Sequence, residues 1–311
     1  MKNAFILIRA SLLMIITYSC VETIDFDNDA STSELVVIGI INPDSLFKVH
    51  LSQSVSVLDY DSYVVVQDKE IEIFENESYT ETITHKKGGY YISESITPYS
   101  SATYNLKTTN DKNEIVTSSV TLPFLAEILN VEANIIDNNW VELQITFSDP
   151  AHIKNYYRIS LEEITGPDDS GDNSAATRKV VFKEIKLENN TFLNSMGSLP
   201  GNEINQDYSA PNKYCIFSDQ IINGSVYTLK IQTQYRFAPG KPDYSFVVNL
   251  QALSEGYYNY LKTISAQNAF AKNNFMEPVS IYTNIRNGIG ILGAVVPSKK
   301  VITLIKQKRA D

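Results

Sequence analysis

WVELQITF, residues 140–147, decides the fold class. Val141, Leu143, Ile145 and Phe147 fall on one side of an extended chain and Glu142, Gln144 and Thr146 on the other, because strand side chains alternate between faces. One apolar face and one polar face define a strand of an antiparallel sheet with one side on a core. The same period recurs outward in both directions. NVEANII (130–136) precedes it, and YYRISLEEI (156–164), KVVFKEIKL (179–187), SVYTLKIQTQY (225–235) and FVVNLQAL (246–253) follow. Towards the N-terminus lie LVVIGII (35–41), LFKVHL (46–51), EIEIFE (70–75) and ATYNLKTT (102–109). LVVIGII is apolar throughout, as a central strand buried on both faces would be. Asn42-Pro43-Asp44, Glu75-Asn76-Glu77, Gly88-Gly89 and Asn110-Asp111 supply the turns between these runs.

The expected fold is therefore mostly β. A transthyretin- or immunoglobulin-like antiparallel sandwich covers 34–122, and a second β-rich sandwich domain covers 123–311, with the boundary at Pro123. One helix interrupts the strands. Ser254 can cap it, Tyr257, Tyr258, Leu261, Ile264 and Ala269 follow at helical spacing, and it ends by about Asn273, before Pro278. Two long connections, 166–178 and 193–213, are rich in turn formers or lack a period.

The N-terminus reads as a leader. Lys2 stands before the apolar run AFILIRASLLMIITYS (4–19), and Ser19 and Cys20 follow as a small residue and a lipid-accepting thiol. Residues 1–19 are then a lipoprotein signal peptide, Cys20 carries acyl chains, and 20–33 is an acidic tether. A membrane-spanning helix fits less well, since Arg9 interrupts a run already short of the roughly 20 residues that crossing requires. An ordinary secretory signal would leave Cys20 without a role. Thr17 and Tyr18 depart from the usual residues at their positions in a lipobox. Cleavage removes Lys2 and Arg9 and takes the formal charge from −10 to −12. Such an acidic chain is a poor partner for nucleic acid, and its net charge opposes docking on anionic lipid, which leaves membrane attachment to the acyl chains. With Cys20 acylated, Cys215 has no disulfide partner; in KYCIF it reads as a buried thiol.

Candidate sites are sparse. GIGILG (288–293) fits G-x-G-x-x-G, but a dinucleotide loop needs a strand before it and a helix after it. Here Asn287-Gly288 reads as a turn and ILGAVV as a strand. Asp168, Ser170 and Asp172 alternate loosely like a calcium loop but lack the longer ligand series with its closing bidentate Glu, so the expectation is no resident metal. G-x-S-x-G, H-E-x-x-H, C-x-x-C and P-loop signatures are absent, and the expectation is a protein that is not an enzyme. The aromatics Tyr60, Tyr63, Tyr208, Tyr235, Phe237 and Tyr244 fall in or beside expected loops, where exposed rings can stack on a ligand or anchor a partner. Of these, Tyr208, Tyr235, Phe237 and Tyr244 are the candidate binding residues. Their plainer reading is packing at a core edge, since Tyr favours strands.

Seven pieces in this order resemble a known family: CVETIDFD (20–27), ELVVIGIINPD (34–44), DKEIEIFEN (68–76), GGYYIS (88–93), VTLP (120–123), ALSEGYYNYLKTISAQN (252–268) and EPVSIYTNIRNGIGILGA (277–294). The family consists of Bacteroidota lipoproteins known only as a domain of unknown function, often encoded beside TonB-dependent outer-membrane receptors. The resemblance implies an outer-membrane lipoprotein, and Glu22, Asp25, Asp27 and Asp29 look like an export signal that would carry it to the cell surface. It brings no catalytic residues and no cofactor beyond the lipid on Cys20. The expected role is a non-enzymatic accessory subunit that caps, or delivers substrate to, a TonB-dependent nutrient transporter. The alternatives are a stand-alone glycan- or peptide-binding surface lipoprotein and a surface hydrolase with an unmarked carboxylate pair.

Overall fold

The computed structural model describes residues 33–55, 64–137, 139–165, 179–183, 185–187, 198–199, 214–220, 222–237, 243–271 and 279–305. Cys20, Tyr60, Tyr63, Asp168, Ser170, Asp172 and Tyr208 lie outside them. The strands are β1 (Leu35–Ile41), β2 (Lys48–Gln53), β3 (Val64–Val65), β4 (Glu70–Glu75), β5 (Ser78–Lys87), β6 (Tyr90–Ile92), β7 (Thr103–Thr109), β8 (Ile115–Thr121), β9 (Ile128–Ile135), β10 (Trp140–Ser148), β11 (Tyr156–Thr165), β12 (Lys179–Phe182), β13 (Lys186–Leu187), β14 (Ser198–Leu199), β15 (Tyr214–Ser218), β16 (Val226–Gln234), β17 (Asp243–Leu253) and β18 (Ile289–Ile305). One helix, Glu255–Ala271, stands between the last two strands. The fold is mostly β and sandwich-like, as the alternation requires.

Two sheets carry these strands. The larger runs β14-β15-β11-β17-β18-β1-β2-β6-β5-β4-β7-β8, with β12 beside β11 and β3 beside β2; the smaller runs β13-β16-β10-β9. In the N-terminal half the large sheet folds over itself through β5. Residues Ser78 to Thr84 of that strand pair with β4, and His85 and Lys87 pair with β6. Leu35, Val37, Leu51, Ile71, Ile73, Tyr104, Leu106 and Val116 fill the space between, all at 1% exposure or less. β1 is buried on alternate residues towards this core, and Ile38 and Ile40 on its other face pack in the cluster under the helix. That accounts for an apolar run with no polar face.

From Glu34 to Asp311 the chain forms one compact unit rather than separating at Pro123. The physical reason is β18. Its first six residues pair parallel with β1, Val36 opposite Ile289 through to Ile41 opposite Ala294. The remainder, Val295 to Ile305, pairs antiparallel with β17. One strand thus completes the N-terminal half and continues into the C-terminal half, where β10 and β16 cover the other side of the core. The outer edge of β8 is met by the segment leading into β18, through mutual backbone hydrogen bonds between Thr117 and Arg286.

The glycines of GIGILG serve close packing. Gly290 has φ +115°, and a Cβ there would lie 2.1 Å from the Val37 carbonyl oxygen. At Gly293 a Cβ would lie 2.8 Å from the Tyr257 Cβ, so the missing side chain lets the helix settle on the strand. Tyr257, Tyr258 and Leu261 bury their side chains there against Ile291 and Val295. Each such burial contributes about 1.5–3 kcal/mol. Ser254 behaves differently from a simple cap. Its carbonyl accepts from the Tyr258 N–H at 3.0 Å, as an N-cap's does, but its hydroxyl accepts from the Ala294 N–H at 3.0 Å. The side chain therefore ties the helix start to the residue where β18 changes partner.

KVVFKEIKL also differs from its single-strand reading. β12 pairs with β11 of the large sheet, and β13 pairs with β16 of the small one. The chain crosses between sheets at Lys183–Ile185, a step invisible to an alternation that continues on both sides.

Candidate functional site

One end of the C-terminal sandwich gathers three of the four candidate binding aromatics. β9, β11, β16 and β18 finish there, and β10 and β17 begin there. Tyr235 follows β16, and its hydroxyl donates to the Asp137 carbonyl at 3.1 Å, bracing the β9–β10 hairpin. Its ring meets Phe237 edge-on with centroids 5.4 Å apart and Tyr244 at 6.2 Å; Tyr244 in turn meets Phe246 at 4.8 Å. Three of the four candidate aromatics are therefore in one cluster. Tyr235 and Tyr244 are only 5% and 8% exposed and Phe237 is half-buried, so the two tyrosines give their faces to each other and to the core. A stacking platform for a ligand needs a free ring face, and these two rings lack one.

A charged pair sits beside the cluster and carries no signal in the sequence. Lys183, at the crossing between sheets, donates to Glu163 at 3.2 Å, and its ammonium lies 5.9 Å from the centre of the Tyr244 ring. Both partners are about one-fifth exposed. Burial, and then the adjacent Glu163 carboxylate, push the Tyr244 phenol far upward, so it keeps its proton throughout the physiological range. Tyr235 is raised as well, by burial first and Asp137 second. Neither phenol is poised as a base or nucleophile.

The opposite end of this sandwich holds a buried polar knot. Tyr157 donates its hydroxyl to Asp149, the Gly224 N–H donates to the other oxygen at 2.7 Å, and the Asn155 N–H donates to Asp219 at 2.8 Å. Desolvation raises the Asp149 pKa, partly opposed by these donors. The knot binds the 149–155 loop to the 219–225 loop, a structural task. Cys215 is buried in β15, and burial pushes its thiol up to about 12, far from a reactive thiolate. Among the described residues, no group of three or more His, Cys, Asp or Glu side chains is arranged to hold a metal ion.

The exposed apolar surface lies elsewhere, along the chain from Phe124 to Ile136. Phe124, Leu125, Leu129, Ile135 and Ile136 are each 43–53% exposed, and β9 is an edge of the small sheet. Edge strands are blunted by Lys or other charges, Pro, bulges or a covering segment; residues 124–136 include neither Lys nor Pro, and β9 carries Glu132 and a bulge opposite Thr146 and Phe147. The start of β9 is stitched to β18: the Ile128 N–H donates to the Ser298 hydroxyl at 3.1 Å, and Lys300 donates to the Leu129 carbonyl at 2.6 Å. Alternation in NVEANII did not mark this surface, because an edge strand and a covered one share the same period.

Two sandwich halves joined by a shared strand define a mostly β, sandwich-like protein with one helix. The chain belongs to the family described as domain of unknown function DUF4249, whose model matches residues 21–300. No curated protein matches it. Among solved structures, similarity is found to a collagen adhesin (CNA) from S. aureus, at 8% identity and TM-score 0.22, covering 89% of this chain and 97% of that one. The collagen-binding domain of the Erysipelothrix rhusiopathiae surface protein RspB gives the same identity, TM-score and coverage.

Proposed function

We propose that this protein is a surface-exposed outer-membrane lipoprotein, acylated at Cys20, that serves as a non-enzymatic accessory subunit of a TonB-dependent nutrient transporter. The observation that carries the reading is the set of exposed apolar side chains on and beside the edge strand β9: Leu129 and Ile135 on the strand, Phe124 and Leu125 before it and Ile136 after it. Several large apolar side chains left exposed along one stretch of chain are what a surface covered by a protein partner would offer. The acyl chains on Cys20 would keep protein and barrel in one membrane. A modest interface then suffices, because tethering replaces free diffusion with a high effective concentration. The role needs no cofactor and no metal. A stand-alone glycan- or peptide-binding role draws less support, since Tyr235 and Tyr244 are committed to the core.

Affinity capture of the lipidated protein from outer membranes in mild detergent, followed by mass spectrometry, tests the proposal. A TonB-dependent barrel in comparable amount is the expected result. Recovery of the lipoprotein alone would overturn the proposal and direct attention to ligand binding by the isolated protein.

A further inference from the structure

β9 carries its irregularities at one end. The bulge opposite Thr146 and Phe147 and the two ties to β18, from Ile128 to Ser298 and from Lys300 to Leu129, all fall at its start. Over residues 130–135 the pairing with β10 is regular. Beyond it, the Ile136 N–H donates to the Trp140 carbonyl at 3.0 Å. Hydrogen-bonded residues alternate along an antiparallel pair, so Asn130, Glu132 and Asn134 turn their N–H and C=O towards β10, and Val131, Ala133 and Ile135 turn theirs away. Among the described residues, none hydrogen-bonds to these outward groups. β18 forms an edge on the same flank. β1 leaves it after Ala294, and among the described strands residues 295–305 pair with β17 alone. The C-terminal sandwich is therefore open along one flank, where an edge of each sheet lies.

The side chains of β9 specify what fits. Val131 and Ala133 pack against the core and Ile135 follows on that face, 50% exposed, whereas Asn130, Glu132 and Asn134 are exposed on the other. Glu132 is the one charge on the strand, and it accepts from the Asn130 side chain at 3.0 Å. Donors and acceptors alternating along a backbone edge are matched by another extended polypeptide, and by neither a lipid nor a glycan. The matching segment has apolar residues at every second position, which cover Ile135 and prolong the core. Polar residues stand between them, with a base or an amide opposite Glu132. We propose that a protein partner adds a strand to β9 along residues 131–135, so that the small sheet continues from this chain into its partner. The inference rests on the accessory-subunit reading for the identity of that partner: the added strand is an extended segment of the transporter.

Hydrogen–deuterium exchange, resolved to single residues by mass spectrometry, tests the pairing. The lipidated protein in isolated outer membranes is compared with the soluble chain from residue 20 carrying Cys20→Ser. In the soluble chain the amides of Val131, Ala133 and Ile135 exchange fast and those of Glu132 and Asn134 slowly. In the membrane the outward amides slow by about tenfold, as a new backbone hydrogen bond requires, and the alternation disappears. Outward amides that stay fast in the membrane would overturn the proposal whatever partner is captured. Outward amides already slow in the soluble chain would overturn it as well, and a dimer in sedimentation velocity would then name a second copy as the occupant. Ala133→Pro removes one outward donor and no bond to β10, so the strand keeps its place while recovery of the barrel in the capture experiment falls by about fivefold. Equal recovery with and without this substitution would strike the strand addition and leave the accessory-subunit reading standing. Slowed outward amides with no barrel captured would do the reverse.

Discussion

Gly290→Ala is the sharpest test of the shared strand. The residue sits at φ +115°, where an L-amino acid is strained by about 1–3 kcal/mol. The new methyl would also lie 2.1 Å from the Val37 carbonyl oxygen, inside the β1–β18 pairing, so the two strands must separate locally. Overpacking of this kind adds about 1–3 kcal/mol, for a total loss of about 2–6 kcal/mol. Gly88→Ala is the matched control: φ is +59° and nothing stands within 4 Å of the new methyl, so backbone strain alone costs about 1–2 kcal/mol. Urea unfolding followed by tryptophan fluorescence reads the outcome. The single tryptophan, Trp140, begins β10 in the C-terminal sandwich, whereas Gly290 lies in the N-terminal half. Because β18 is common to both, Gly290→Ala lowers the midpoint of the Trp140 transition together with that of far-ultraviolet circular dichroism. An unmoved Trp140 transition beside an early loss of dichroism would mean that the halves unfold independently, and the shared-strand account would fail.

Other outcomes follow from single residues. The Glu81 carboxylate is opposed by burial, but the Glu94 N–H and the Ser93 and Ser95 hydroxyls outweigh that and hold its pKa below the usual glutamate value. Its folded pKa lies below the unfolded one, so its contribution is full above about pH 4.3 and is lost as pH falls through the folded value. Glu81→Gln therefore costs about 1 kcal/mol at neutral pH, and pH-dependent urea midpoints show the gap to wild type closing under acid. Cys215 in the Cys20→Ser chain stays unreactive to a disulfide reagent in the native state and reacts fully in urea, because its thiol is buried and its pKa raised to about 12; fast native labelling would refute this placement. Cys20→Ser abolishes metabolic incorporation of an acyl-chain analogue and leaves the protein unanchored, whereas retained incorporation would remove the lipoprotein reading.

Several elements were legible in sequence for local reasons. β10 shows period two because one of its faces is core, and β1 shows none because both faces are covered, one by the opposing strands and one by the helix. The helix was legible from Tyr257, Tyr258 and Leu261, which share its buried side. What escaped reading depends on contacts distant along the chain. Nothing in LVVIGII or GIGILGA says that they pair in parallel across some 250 residues of intervening chain, although the glycines mark close approach of some kind. Tyr235, Phe237 and Tyr244 stood out singly as aromatics in or beside loops; that they meet in one cluster depends on the fold, and a tyrosine has the same local signature at a core as at a surface. Glu163 and Lys183 look like ordinary strand charges until the chain crossing at Lys183 brings them together beside Tyr244.

Under the proposed function, the exposed apolar side chains on and beside β9 would face a membrane-embedded partner. Leu129→Asp and Ile136→Asp place charge on side chains that are already exposed, so the fold is preserved while the interface is not. Capture from detergent-solubilised outer membranes, with wild type and this double variant compared at equal lipoprotein recovery, measures the effect directly. The account predicts a TonB-dependent barrel with the wild type and its loss, by tenfold or so, with the variant. A barrel recovered equally with both, or with neither, would contradict it.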